Sequence, residues 1–153
     1  MKNQQSGRSL IEVIGVMAIA GLMTVSALGV YNMIRTNQTR SIATSELEQI
    51  AQDVKLLMEM RGTYEGLSVD YLIKAGALDS GRAPIGGDDW SVVASADGQS
   101  FSINLVGLTE GECGYFTNSK PKWASAILVN GFEASISENC FASDTNQVAF
   151  IVE

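Results

Sequence analysis

Residues 6–35 read SGRSLIEVIGVMAIAGLMTVSALGVYNMIR. A single carboxylate, Glu12, stands in front of an uncharged run of 22 residues, Val13 to Ile34, that ends at Arg35. As one helix this run is about 33 Å long, close to the thickness of a bilayer's hydrocarbon core. Lys2 and Arg8 precede it, which by the positive-inside tendency leaves the N-terminus in the cytoplasm and the downstream chain outside. Tyr31 falls where an interfacial aromatic belongs. A secretory signal peptide cut after Gly29, in the A-x-A-like "ALG", is one reading. Its apolar region spans only about 7–15 residues, and it gives Glu12 no purpose. A plain single-pass anchor leaves Glu12 equally unexplained. An acid at the centre of a membrane helix costs about 2.5–3.5 kcal/mol on insertion scales, less near the interface. Glu12 is therefore read as a functional group in want of a cation.

The stretch "SGRSLIEV" resembles the processing site of type IV pilins and pseudopilins. In that family a short, basic, polar leader ends in Gly, and a Glu stands fifth in the mature chain. Here the leader is "MKNQQSG", residues 1–7; Gly7 is its last residue, Arg8 the new terminus, and Glu12 the fifth mature residue. The resemblance implies cleavage between Gly7 and Arg8 by a membrane aspartyl prepilin peptidase, followed by N-methylation at Arg8. The family's first mature residue is usually apolar, so Arg8 departs from the pattern and adds a second cation near Glu12. The resemblance also implies a role for Glu12. Subunits in a filament are offset along its axis, so one copy's new α-amine can approach the next copy's Glu12. In a low-dielectric bundle the pair attracts and an unpaired carboxylate is penalised. Glu12 then sets axial register, while apolar packing supplies most of the association energy. Gly15, Ala18, Gly21, Ser26 and Gly29 allow close helix approach or local bending.

The helix does not stop at Arg35. Ala43, Leu47, Ile50, Val54 and Leu57 recur at spacings of 4, 3, 4 and 3, one helical stripe. The expectation is a single helix from about Arg8 to Arg61, apolar over 8–34 and amphipathic over 35–61, closed by Gly62 as a C-cap. The stripe is expected to pack on the protein's own sheet. Residues 62–153 form the head. A short helix is expected from about Ser68 to Ala77 with Ser68 as N-cap, then a loop through "RAPIGGDDW". Strands in "WSVVASA" and "SFSINLV" flank Asp97-Gly98, a hairpin signal. A short helix carries Cys113, "WASAILVNGF" reads as one strand, and "QVAFIVE" as the closing one. The fold class is α+β: a long N-terminal helix on a small, mainly antiparallel sheet of about four strands, the pilin fold. Late strands after a Cys-bearing helix resemble the type IVb group.

Cys113 and Cys140 are the two cysteines. An even pair in an exported domain reads as a disulfide. The spacing is wrong for C-x-x-C redox chemistry, and two Cys with no His make a poor zinc site. In the resembled family such a pair closes the variable C-terminal region.

Charge divides unevenly within the net -7: residues 1–61 carry +1 and residues 62–153 carry -8. The acidic head argues against nucleic acid as a partner. The absence of His removes the commonest general base and proton switch. No phosphate loop, nucleophile elbow or zincin helix is present, so neither enzyme activity nor a cofactor or metal is expected. Asp88 and Asp89 in "IGGDDW" lack the alternating ligands of a calcium loop and read as a solvated loop. Lys120 and Lys122 beside Trp123 read as an exposed turn.

The resemblance implies a structural pilus subunit. It is a homopolymer that dwells in the bacterial inner membrane, head on the periplasmic side, before assembly into an extracellular pilus. Its partners would be other copies of itself, the prepilin peptidase and the inner-membrane assembly machinery, with a host or cell-surface receptor as a further partner. Adhesion, aggregation, motility and DNA transfer are all open. The competing readings are a minor pilin or a type II secretion pseudopilin, and, from another class, a membrane-anchored periplasmic binding domain that never polymerises.

Overall fold

The computed structural model describes residues 10–134 and 139–153, and the side chains at 10, 11 and 20–25 lie outside that description. Gly7 and Arg8, the expected processing site, fall outside the described residues. The chain divides into two compact units, Met1–Gln38 and Thr39–Glu153. The first helix, α1 (Leu10–Glu59), runs through both. It ends where expected: the amides of Arg61 and Gly62 both donate to the Met58 carbonyl at 3.0 Å, and Gly62 takes the left-handed φ of 72° that a helix terminator needs.

Within the second unit, Ala43, Leu47, Ile50 and Val54 are buried in one core with the sheet. The fifth expected stripe residue, Leu57, is only partly buried, and Met58 is buried in its place. The cause is geometric. Alternating spacings of 4 and 3 follow a period of about 3.5, and a 3.6-residue helix drifts about 20° per heptad against it. By the end of α1 the core-facing position has moved on by one residue.

α2 (Val69–Lys74) starts as expected, with Ser68 Oγ accepting the Tyr71 amide at 3.1 Å. It stops short of Ala77 because the chain turns at Gly76, whose φ is 79°. The strands are β1 (Ser91–Ala94), β2 (Phe101–Leu108), β3 (Ala126–Val129), β4 (Phe132–Glu133) and β5 (Asn146–Val152). They form one antiparallel sheet in the order β1-β2-β5-β3-β4. Along β2, Phe101, Ile103 and Leu105 point into the core; along β5, Asn146, Val148, Phe150 and Val152 do. This is the period of two expected of a sheet with one covered face.

The sheet has five strands, not about four. The single strand expected across "WASAILVNGF" is two strands joined by a tight turn at Asn130-Gly131, with φ of 49° and 88°. Positive φ at both central residues is what a two-residue hairpin demands, and Asn-Gly is the preferred pair for it.

β2 bulges between Leu105 and Leu108, where Gly107 has a φ of 66°. The Val106 carbonyl accepts the Gly87 amide at 2.8 Å instead. A Cβ on Gly86 would lie 2.3 Å from that carbonyl oxygen, at a φ of 84°. The glycines of "IGGDDW" thus serve close backbone approach. α3 (Glu110–Ser119) carries a full capping box. Glu112 accepts the Thr109 amide at 2.9 Å, and Thr109 Oγ1 accepts the Glu112 amide at 3.3 Å. α3 lays Cys113, Phe116 and Thr117 into the core, with Phe116 edge-on to Phe150 at 5.7 Å.

Candidate functional site

Among its described residues, the first unit presents an exposed apolar helix surface. Glu12 lies in the first turn of α1, where a carboxylate suits the positive end of the helix dipole. Ile14, Val16, Met17 and Ile19 are 59–71% exposed, and Leu28, Val30, Tyr31 and Met33 are 54–61% exposed. Successive residues lie 100° apart around a helix, so these positions cover more than one face. An exposed apolar surface of this extent marks an interaction site. The membrane span expected over 13–34 is not supported here: among the described residues, no helix is long and apolar enough to cross a membrane. The middle of that stretch, positions 20–25, has its side chains outside the description.

In the second unit, the disulfide joins Cys113 on α3 to Cys140, with Cα atoms 5.9 Å apart. Thr117 is buried one turn on and donates to the Cys113 carbonyl at 2.7 Å. The segment that returns from Cys140 to β5 is pinned by a fully buried side chain, Asn146. Its Nδ2 donates to the carbonyls of Leu108 (3.2 Å), Phe141 (2.9 Å) and Ser143 (3.0 Å). Its Oδ1 accepts from the Phe141 amide at 2.7 Å and from Asn130 Nδ2 at 3.1 Å. Asn130 extends the clasp, donating to the Asn139 carbonyl at 2.6 Å and accepting the Gln147 amide at 2.9 Å. One covalent bond and two amide side chains thus tie together α3, the end of β2, the β3–β4 turn and β5. The outer surface of this region carries two exposed rings, Phe132 (69%) and Phe141 (58%).

Sequence reasoning singled out Cys113 and Cys140 but missed the two asparagines. The signal for Asn146 lies in the alternation of "NQVAFIV", which places Asn in phase with Val148, Phe150 and Val152. Lys120 and Lys122 are exposed in a turn, as expected. Trp123 is partly buried against Phe150 at 5.1 Å, while Lys120 ends α3 in the left-handed region. Asp88 and Asp89 are exposed, and among the described residues no group of three His, Cys, Asp or Glu is placed to hold a metal. In the β1–β2 turn the Asp97 carboxylate sits below its ordinary range. Ser95 Oγ donates to it, and so does the Gln99 amide at 3.1 Å.

No protein-family model matches the sequence, and no curated protein matches it. Solved structures do. TcpA, a type IV pilin from Vibrio cholerae El Tor biotype, superposes with a TM-score of 0.59 at 15% identity, over 76% of this chain and 99% of that one. A type IVb pilin from Salmonella typhi gives a TM-score of 0.49 at 21% identity, over 72% of this chain and 96% of that one. The long helix and the five-stranded antiparallel sheet match the type IV pilin fold.

Proposed function

We propose that this chain is a structural subunit of a type IV pilus, polymerising through its N-terminal helix into a surface filament. The observation that carries the reading is the exposed apolar surface of 13–19 and 28–34, on a chain that has the pilin fold. Burying such a surface contributes about 25 cal/mol per Å², and identical helices from neighbouring copies are a self-consistent cover. Glu12, at the front of that helix, is the register carboxylate. Its mate is the α-amine of an adjoining copy, freed by prepilin peptidase between Gly7 and Arg8, with N-methylation at Arg8. Inner-membrane assembly machinery adds the processed subunits to the filament. The disulfide-closed region supplies the filament's variable surface, including any receptor contact. The type IVb group is the subclass we favour, and the late strands after a Cys-bearing helix support that reading.

The test combines intact mass with fibre assembly. The native protein should start at Arg8, with or without one methyl group, and sheared surface fibres should contain it. A start at Val30 would mean ordinary signal-peptide removal. Abundance in the fibres separates a major subunit from a minor pilin or pseudopilin. Glu12→Gln and Glu12→Ala should leave the level of folded protein unchanged and reduce fibres at least tenfold. Wild-type amounts of fibre from both variants refute the register role, and a native protein that never polymerises refutes the filament itself.

A further inference from the structure

Arg40, in the second unit, is held against α3. Its guanidinium carbon lies 5.7 Å from the centre of the Tyr115 ring, within cation–π range. The Tyr115 hydroxyl is in turn met by Thr44 Oγ1 at 3.5 Å, one helical turn along α1. On the other side the guanidinium passes over Gly111, where a Cβ would lie 2.7 Å from Nη2. Only glycine leaves room for it there. Nε is buried and makes no hydrogen bond among the described residues. The group faces a hollow of about 410 Å³ between α1 and α3, lined also by Gly114 and Asn118.

A guanidinium held against a ring beside an open hollow is a prepared seat for a carboxylate at its terminal nitrogens, while the enclosed Nε stays out of another molecule's reach. Arginine's fork matches a carboxylate's two oxygens, and pre-organisation lowers the entropy lost on pairing. The source of that carboxylate follows from charge. Residues 62–153 carry -8, and their acids include the exposed doublet Asp88-Asp89. Any array of these heads brings many carboxylates to few cations. We propose that Arg40, on its Tyr115–Gly111 seat, docks a carboxylate from the acidic head of a second copy of this chain. The inference rests on the filament reading and names one polar contact that orients neighbouring heads within it.

The test uses the full chain in its native fibres. Arg40→Gln removes the charge, Arg40→Lys keeps charge but loses the planar stack, and Gly111→Ala pushes the guanidinium off its seat with the charge intact. Expected is a fall of at least fivefold in fibre yield or shear resistance for Arg40→Gln and Gly111→Ala, and a smaller fall for Arg40→Lys. Wild-type fibres should weaken as salt rises through the range that screens exposed pairs, and Arg40→Gln fibres should lose that dependence. Disulfide formation and protease resistance report folding. If Arg40→Gln lowers either, Gly111→Ala decides. Wild-type fibres with both variants unchanged in yield and in salt response overturn the Arg40 contact alone. A wild-type protein that forms no fibres overturns the filament reading and this contact with it.

Discussion

Replacing Asn146 by alanine should be among the most damaging single changes in the second unit. The side chain is fully buried and engages four backbone groups, the carbonyls of Leu108, Phe141 and Ser143 and the amide of Phe141. Ser143 and Phe141 belong to exposed residues, so water can replace part of what their carbonyls lose. The Leu108 carbonyl, bonded in a buried contact, and the Phe141 amide, in a part-buried one, are stranded. Leaving one buried polar group unmet costs about 1–3 kcal/mol, so the two together cost about 2–6 kcal/mol. That is a large share of a typical domain stability of about 5–15 kcal/mol. The assay is urea unfolding of the detergent-solubilised chain with its disulfide intact, followed by tryptophan fluorescence. The midpoint should fall with little change in slope. Gln147→Ala, a change at the exposed neighbour, should move stability by no more than about 0.5 kcal/mol. A loss below about 1 kcal/mol for Asn146→Ala would mean that the clasp is not what holds residues 139–146, and the reasoning would fail.

Two further outcomes are expected in the same unit. Cys113→Ser combined with Cys140→Ser opens a loop whose ends are 27 positions apart; chain entropy gives a loss of about 3–4 kcal/mol, read as a lower urea midpoint and faster proteolysis near 139–146, and equal stability with and without reductant would contradict it. For Asp97, the hydrogen bonds from Ser95 and then Gln99 depress the folded-state value below the ordinary 3.8, so its stabilising contribution is present above that value, where both states are ionised, and is lost as pH falls through the depressed folded value. Asp97→Asn should therefore differ from wild type above the ordinary 3.8 and converge with it as pH falls below the depressed folded value, and a difference that grows on acidification would reverse the sign of the argument.

Much of the fold was legible because it is written in periods. The helix of 39–59 announced itself through Ala43, Leu47, Ile50 and Val54, and β2 and β5 through their alternation. Ser68, Gly62 and Asp97-Gly98 marked their boundaries by side-chain chemistry that acts over three or four residues. The failures share a cause of the opposite kind. Leu57 and Met58 exchanged places because helical drift accumulates over two heptads, beyond the reach of any local pattern. The β3–β4 turn was hidden inside an apolar run, although Asn130-Gly131 carries the turn chemistry plainly. The second glycine pair, Gly86 and Gly87, reads as loop chemistry until Val106 arrives from about twenty residues downstream. Of the candidate site, Cys113 and Cys140 were visible as a pair. Asn146, Asn130 and Arg40 were not, because their partners lie on other elements and each residue type is ordinarily exposed.

The order β1-β2-β5-β3-β4 has a temporal consequence. Among the described residues the hairpins β1–β2 and β3–β4 share no backbone ladder, and β5 bridges them. Until residues 146–152 arrive, each hairpin is a two-stranded fragment of marginal stability, and the cysteines' neighbourhood lacks Asn146. A nascent polypeptide therefore cannot close this sheet until its keystone strand, residues 146–152, has been made.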